Sequence, residues 1–129
     1  MLHAFGKHLI FDFKKSNNID CPIKIQNFVN DLVNILKMTK YGETHIQKFG
    51  DTPAVAGYSF FQLIQESNIS GHFCSYDFIM EKNGKKFNNK GAGYIDIFSC
   101  KDYNTQDVIN CIEKHFKPET YVYKEIERI

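Results

Sequence analysis

The chain has 129 residues, of which 43% are hydrophobic and 15% aromatic, enough apolar surface for one folded core. Its 16 Lys and Arg against 15 Asp and Glu leave a formal charge of +1, which argues against a nucleic-acid-binding protein or one held on an anionic membrane. The apolar runs are shorter than the ~20 residues of a membrane helix, and the N-terminus lacks a signal peptide's apolar segment. We therefore expect one cytoplasmic domain over residues 1–129, with no nucleic-acid or membrane partner.

The cysteines and histidines predict neither a disulfide framework nor a metal site. They include no Cys-x-x-Cys pair and no recurring ligand spacing, and no Gly-rich phosphate loop accompanies them. A single cysteine is most often a small buried side chain. The four cysteines are Cys21, Cys74, Cys100 and Cys111.

The first half of the chain predicts three strands and one helix. Alternating apolar residues indicate a strand over 7–13. Apolar residues at 3.6-residue spacing then indicate a helix over about 22–38, with Asp20 as its N-cap. Two further strands are predicted over 44–49 and 56–64.

The second half predicts a hairpin, two more strands and a second helix. Asn83-Gly84 is the strongest two-residue hairpin signal, because both residues tolerate the positive φ of a type I′ turn. The second helix is capped by Asn104 or Thr105 and stopped by Pro118. The strands are expected over 71–80 and from 86 onward around the hairpin, and then over 93–99 and 120–126.

This order, β-α-β-β-β-β-α-β, predicts an α+β two-layer sandwich with both helices on one face of a mostly antiparallel sheet. We expect the other face to carry apolar residues such as Phe60 and Ile64. A second copy of the chain is the natural cover for such a face, so a homodimer with stacked sheets is predicted.

The segment Gln65–Phe73 joins an acid, two hydroxyls and an imidazole within a few positions, directly after an apolar strand. Small polar residues in that place are typical of a simple turn. A second segment, Gly91–Cys100, argues against a simple turn, because the two segments together resemble one known family.

Both segments resemble the prokaryotic S-adenosylmethionine decarboxylases. Glu66-Ser67-Asn68-Ile69-Ser70-Gly71-His72 resembles that family's Glu-Ser-His-Ile-Ser-Ile-His, and Tyr94–Cys100 resembles its Val-Asp-Ile-Phe-Thr-Cys. Gly57-Tyr58-Ser59-Phe60 stands where the family has Gly-x-Ser-Gly. The resemblance runs from Gly6 to about Ile126 and includes the N-terminal strand and the end of the second helix.

The resemblance implies an enzyme that cuts its own chain between Glu66 and Ser67 and converts Ser67 into a pyruvoyl group. The Ser67 hydroxyl attacks the preceding carbonyl, and the resulting ester is eliminated once a base removes the Cα proton. His72 matches the family's base, since an imidazole titrates near neutral pH. Ser59 matches a hydroxyl that positions groups during processing, and a strained turn is expected at the cut.

The same resemblance implies that S-adenosylmethionine is the substrate and that the product is used in spermidine synthesis. The pyruvoyl group binds the substrate's α-amine and accepts the electrons released as carbon dioxide leaves, as pyridoxal phosphate does elsewhere. Cys100 matches the family's proton donor.

The chain departs from the family pattern around the cut. Asn68 replaces a His, Gly71 replaces an apolar residue, and the hairpin lengthens the connection from His72 to Cys100. The family's Thr-Trp/Tyr-Pro-Glu, which supplies a ring for adenine and an acid for ribose, becomes residues 73–77. The candidates to replace those substrate contacts are Phe73, Tyr76, Asp77 and, from a second subunit, Phe49.

Two alternatives to the S-adenosylmethionine decarboxylase remain open on these departures. One is a relative that decarboxylates another amino acid, such as ornithine or arginine, with the same Ser67, His72 and Cys100. The other is an unprocessed homologue, a dimeric domain that binds a nucleoside-like ligand without catalysis.

Overall fold

The computed structural model of the chain describes residues 6–128, which form two helices, eight strands and a short 3₁₀ turn. None of the helices in this part of the chain has the length and apolar character needed to cross a membrane. The elements are β1 (Lys7–Lys14), α1 (Pro22–Ile35), β2 (His45–Phe49), β3 (Gly57–Ile64), β4 (Ser67–Cys74), β5 (Ile79–Lys82), β6 (Lys85–Asn88), β7 (Ala92–Ser99), α2 (Thr105–Phe116) and β8 (Thr120–Glu127).

Six strands form one antiparallel sheet in the order β2-β3-β4-β7-β1-β8, and both helices pack on one of its faces. The predicted α+β sandwich is confirmed. The predicted order contained four strands between the helices, whereas the structure has six, because β5 and β6 form a separate two-stranded sheet. Asn83 and Gly84 join them with φ of 53° and 75°, as the type I′ hairpin requires.

The core lies between the helices and the sheet, and its members follow the period of each element. On β1, Leu9, Phe11 and Phe13 are fully buried at alternate positions. Asn104, one of the two residues expected to cap α2, does so by accepting a hydrogen bond from the Gln106 N–H at 2.8 Å. The expected cap of α1 was wrong: Cys21, and not Asp20, precedes the first helical residue, Pro22.

The sheet face opposite the helices is open and apolar, but through other residues than expected. Phe60 and Ile64 are 3% and 4% exposed and belong to the core, because alternation along β3 turns them toward the helices. Their neighbours Phe61 and Leu63 are 42% and 48% exposed and face away from it. The expectation of an uncovered apolar face therefore holds, with these two residues in place of the named ones.

Candidate active site

A tight turn presents the predicted cleavage site. Gln65 and Glu66 alone connect β3 to β4, and Ile64 pairs with Ser67 across the hairpin. Ser67 is therefore the first residue of β4 and lies at the end of the sheet. The predicted turn is thus limited to two residues, and the rest of the segment is a strand whose Ile69 and Phe73 are fully buried.

The connection after α1 holds this turn from one side. The Gln65 N–H donates to the Thr39 carbonyl at 2.8 Å, and the Thr39 N–H donates to the Glu66 carboxylate at 3.1 Å. Both turn residues are thus bound to one residue of a neighbouring segment. The peptide bond between Glu66 and Ser67 is fixed in position before any chemistry takes place.

Cys100 holds the turn from the other side. Ser67 pairs with Ser99 at the end of β7, so Cys100 is the next residue beyond that pair. Its backbone N–H donates to the Glu66 carbonyl oxygen at 2.9 Å. A donor on this oxygen polarises the carbonyl and stabilises the negative charge that an attacking hydroxyl would create there.

Ser67 has a strained backbone. Its φ of 153° lies in a region that essentially only glycine populates, and such strain costs about 1–3 kcal/mol. The Asn68 side-chain amide donates to the Ser67 hydroxyl oxygen at 3.3 Å. The strain expected at the cut is present on the residue that would become the new N-terminus.

His72 and Ser59 form a second group of predicted residues. The two residues pair across β3 and β4, and their side chains form a hydrogen bond between Oγ and Nδ1 at 2.7 Å. His72 Nε2 lies 2.7 Å from the Val55 carbonyl oxygen, which can only accept, so Nε2 carries a proton. In the neutral ring the basic nitrogen is then Nδ1, and it accepts from the Ser59 hydroxyl.

Phe49 lies beside this second group. Its ring is 51% exposed and, with His72, lines a shallow cavity of 330 Å³ where β2 ends and β3 begins. An exposed ring at the rim of a cavity suits the stacking role predicted for Phe49. The stacking role of Phe49 stays a prediction.

The structure does not bring His72 to Ser67 within one chain. The two residues are five positions apart on β4, which corresponds to about 16 Å at ~3.3 Å per strand residue. Glu66, Ser67 and Cys100 therefore form one group and Ser59, His72 and Phe49 another. The predicted base can act on Ser67 only through a second chain or a rearrangement.

The predicted role of Phe73 in substrate binding is wrong. Phe73 is fully buried and packs against Phe13, Phe60 and Phe116, because it shares the helix-facing side of β4 with Ile69 and Gly71. Tyr76 is 53% exposed, and exposed Asp77 accepts from the Asn88 side chain. Both follow the far end of β4 from Ser67, so they do not join the group around the cut.

Two contributors to the site were not predicted. Thr39 acts through its backbone, and no side-chain motif marks such a contact. The backbone N–H of Cys100 donates to the Glu66 carbonyl at the cut, whereas the resemblance gives a role only to the Cys100 thiol. The resemblance pointed to the segments that form β4 and β7. An antiparallel pairing of these two strands would have indicated that Cys100 lies beside Glu66.

Comparison with known proteins identifies the family and the fold of the chain. The model of the family described as S-adenosylmethionine decarboxylase matches residues 7–129. A search of curated proteins finds no match. Among solved structures, the adenosylmethionine decarboxylase from Aquifex aeolicus VF5 shares the fold, with a TM-score of 0.72 and 19% identity over 98% of this chain and 92% of that one. The chain belongs to the S-adenosylmethionine decarboxylase family.

Proposed function

We propose that this chain is a self-processing, pyruvoyl-dependent decarboxylase of S-adenosylmethionine, whose product is the aminopropyl donor for spermidine synthesis. The proposal includes a homodimer of processed chains and a cytoplasmic location. Membership of the decarboxylase family and the contacts around Glu66 and Ser67 support it.

Self-processing begins with the chain's own hydroxyl. Ser67 Oγ attacks the Glu66 carbonyl carbon and loses its proton, the Glu66–Ser67 C–N bond breaks, and the nitrogen is released as an amine. The product is an ester between Glu66 and the Ser67 side chain. A base then removes the Ser67 Cα proton and expels the Glu66 carboxylate, and water replaces the nitrogen, which leaves as ammonia.

The hydrogen bond from the Cys100 N–H to the Glu66 oxygen is the observation that carries this proposal. It is already formed before attack, so no reorganisation is needed when charge develops on that oxygen. One such donor contributes about 10²–10³ in rate in enzymes that stabilise an oxyanion. Cleavage also releases the strained φ of Ser67, because that residue becomes a chain terminus.

The group formed from Ser67 suits its surroundings, since the residue is partly exposed at the end of the sheet and its neighbours are polar. Once formed, the pyruvoyl group supplies an electron sink for loss of carbon dioxide. Around it, Asn68 contacts the Ser67 side chain and the exposed Cys100 holds a thiol next to the cut.

Replacing Cys100 with Ala should separate the two roles of this residue. The backbone N–H stays, so we expect cleavage at close to the normal rate. The thiol is lost, so the rate at which correctly protonated product forms should fall by at least about 100-fold, the low end for a missing general acid. Intact mass measures cleavage, and chromatography of the reaction products measures protonation. Normal product from Cys100→Ala would contradict the proton-donor role.

The homodimer gives His72 a route to the chemistry. His72 and Ser59 lie on the open sheet face, where Phe61 and Leu63 expose apolar surface that a stacked second sheet would bury. A two-fold dimer presents the same residues from both copies. We infer that the cut of one chain is completed by His72 of the partner subunit, with the Ser59 hydroxyl bound to its basic nitrogen.

Intact-mass analysis of the purified, full-length chain tests the proposal. Processing yields two fragments, residues 1–66 and 67–129, the second with an N-terminus that Edman chemistry cannot degrade. One unbroken mass after prolonged incubation would overturn self-processing and favour the non-catalytic, nucleoside-binding alternative.

Borohydride trapping identifies the substrate. Incubation with cyanoborohydride and S-adenosylmethionine should add to the fragment 67–129 the mass of the decarboxylated amine less one oxygen, because the Schiff base forms with loss of water and its reduction adds two hydrogens. The same addition with ornithine or arginine, and none with S-adenosylmethionine, would assign the chain to the alternative substrates while keeping the processing.

A further inference from the structure

A cluster of three potential metal ligands lies between the two helices, away from the site described above. His115 Nε2 is 2.7 Å and Cys111 Sγ 4.0 Å from the same carboxylate oxygen, Oδ2 of Asp31. Asp31 belongs to α1, whereas Cys111 and His115 belong to α2. All three ligand atoms lie within 4.8 Å of one another.

We propose that Asp31, Cys111 and His115 bind a divalent transition-metal ion of the zinc class. A thiolate, an imidazole and a carboxylate are the donors that zinc takes in proteins. Cys111 and His115 are four positions apart, which places them one above the other on the same face of α2. This is the spacing by which one helix contributes two ligands to a metal.

The cluster needs only small movements to hold the ion. In a tetrahedral site with bonds of about 2.0–2.3 Å, ligand atoms are separated by about 3.3–3.5 Å. The carboxylate oxygen and the imidazole nitrogen would move apart from 2.7 Å, and the sulfur would approach from 4.0 Å. The two distances to the carboxylate oxygen change by about 0.5–0.8 Å, and the distance between the sulfur and the imidazole nitrogen closes by up to about 1.3 Å, within the reach of side-chain torsions.

Lys114 is the group that the ion would displace. Its ammonium lies 3.0 Å from the same oxygen of Asp31, but its side chain is 68% exposed and can return to water. An exposed ion pair of this kind contributes little stability. With a thiolate and a carboxylate bound, a divalent ion makes the site neutral, so the lysine is not needed to balance the charge.

A divalent cation would meet the Asp31 carboxylate, which already accepts hydrogen bonds from Lys114 and His115. Coordination of the Cys111 sulfur would displace the proton of its thiol.

The site would act on the helical layer and not on the reaction. The Ser16 hydroxyl, just past the C-terminal end of β1, donates to the carbonyl of Phe116, the neighbour of His115. Ser99, which precedes Cys100, pairs with Lys7 at the other end of β1. The seven steps along β1 from Lys7 to Lys14 span about 23 Å. The proposed metal site and the cleavage site therefore lie near opposite ends of β1. A bound ion would join α1 to α2 and raise the stability of the fold.

Titration of the untagged, full-length chain with Co²⁺ tests the proposal. We expect one ion per chain, a near-ultraviolet thiolate-to-cobalt charge-transfer band, and loss of that band when Zn²⁺ is added. Zn²⁺ should also raise the Tm. No thiolate band in a folded chain would overturn the proposal without any variant being made.

Variants then assign the ligands. Cys111→Ser should abolish the band, and Asp31→Asn should weaken binding by at least about 100-fold, more than the loss of a supporting residue outside the ligand set. Cys21→Ser and Lys114→Gln are matched controls that keep all three ligands, and Lys114→Gln should bind as tightly or more tightly. Circular dichroism confirms that each variant is folded. A band that persists in Cys111→Ser would place the metal elsewhere and contradict the assignment.

Discussion

Replacing Ser67 with Ala is expected to leave one uncut chain of 129 residues with no decarboxylase activity. The hydrogen bonds that hold the turn, from the Cys100 N–H and to and from Thr39, should all remain, because none of them uses the Ser67 side chain. The nucleophile alone is lost. Intact mass over several days measures the result, with Ser75→Ala as a control serine beyond the far end of β4 that should cleave normally.

Ser67→Cys keeps this prediction independent of folding. A thiol at the same position can also attack the Glu66 carbonyl, so this variant should cleave, though more slowly than the natural chain. Cleavage of Ser67→Ala at the same bond would show that Ser67 is not the nucleophile. An uncut Ser67→Cys chain that is folded would place the chemistry on another group.

The Ser67→Ala chain also tests where the base comes from. Its His72 is intact, so it can complete a partner that carries His72→Ala but keeps Ser67. In mixed dimers of differently tagged chains, the His72→Ala chain should be cut, whereas alone it should stay whole. No restoration in a confirmed mixed dimer would contradict the role assigned to His72 of the partner subunit, since the ~16 Å within one chain is too far for proton transfer.

The elements predicted well from the sequence are those whose pattern is local. The strand β1 and both helices have apolar residues at the period of the element, and each was predicted close to its observed position. The first half of β4 was missed, because Ser67, Asn68 and Ser70 favour turns locally. They form a strand because β3 and β7 pair with them on both sides, a tertiary effect that outweighs propensity.

The sequence predicted which residues form the candidate site, but not how these residues are arranged in space. The resemblance identified Ser67, His72 and Cys100, but strand distance places His72 in a separate group. Phe73 looked like a free aromatic ring, and only the register of β4 reveals that it is buried. The potential metal ligands Asp31, Cys111 and His115 lie on two helices that are far apart in sequence, so they form no recognisable motif along the chain.

Two departures from the family pattern lie opposite each other in the sheet. The family has glycine at the position of Phe60 and an apolar residue at the position of Gly71, and here the sizes are reversed. These two residues are direct cross-strand partners. A Cβ on Gly71 would lie 2.3 Å from the Phe60 ring, so the glycine makes room for that ring.

We therefore expect strong coupling between these positions. Gly71→Val alone should lower the free energy of unfolding by about 3 kcal/mol through overpacking. Phe60→Ala alone should lower it by about 3–5 kcal/mol, because the ring is buried against Phe28 and Phe73. The double variant should be more stable than the sum of the single effects predicts, by about 1–2 kcal/mol.

Urea unfolding of the four chains measures this coupling. The neighbouring pair Phe61 and Ser70 is the matched control, since it is also cross-strand but faces away from the core, and Phe61→Ala with Ser70→Val should be additive within about 0.5 kcal/mol. Additivity at Phe60 and Gly71 would show that the two departures are independent. Coupling would show that the two departures compensate each other in packing, next to Ser59 and His72, whose hydrogen bond the proposed chemistry uses.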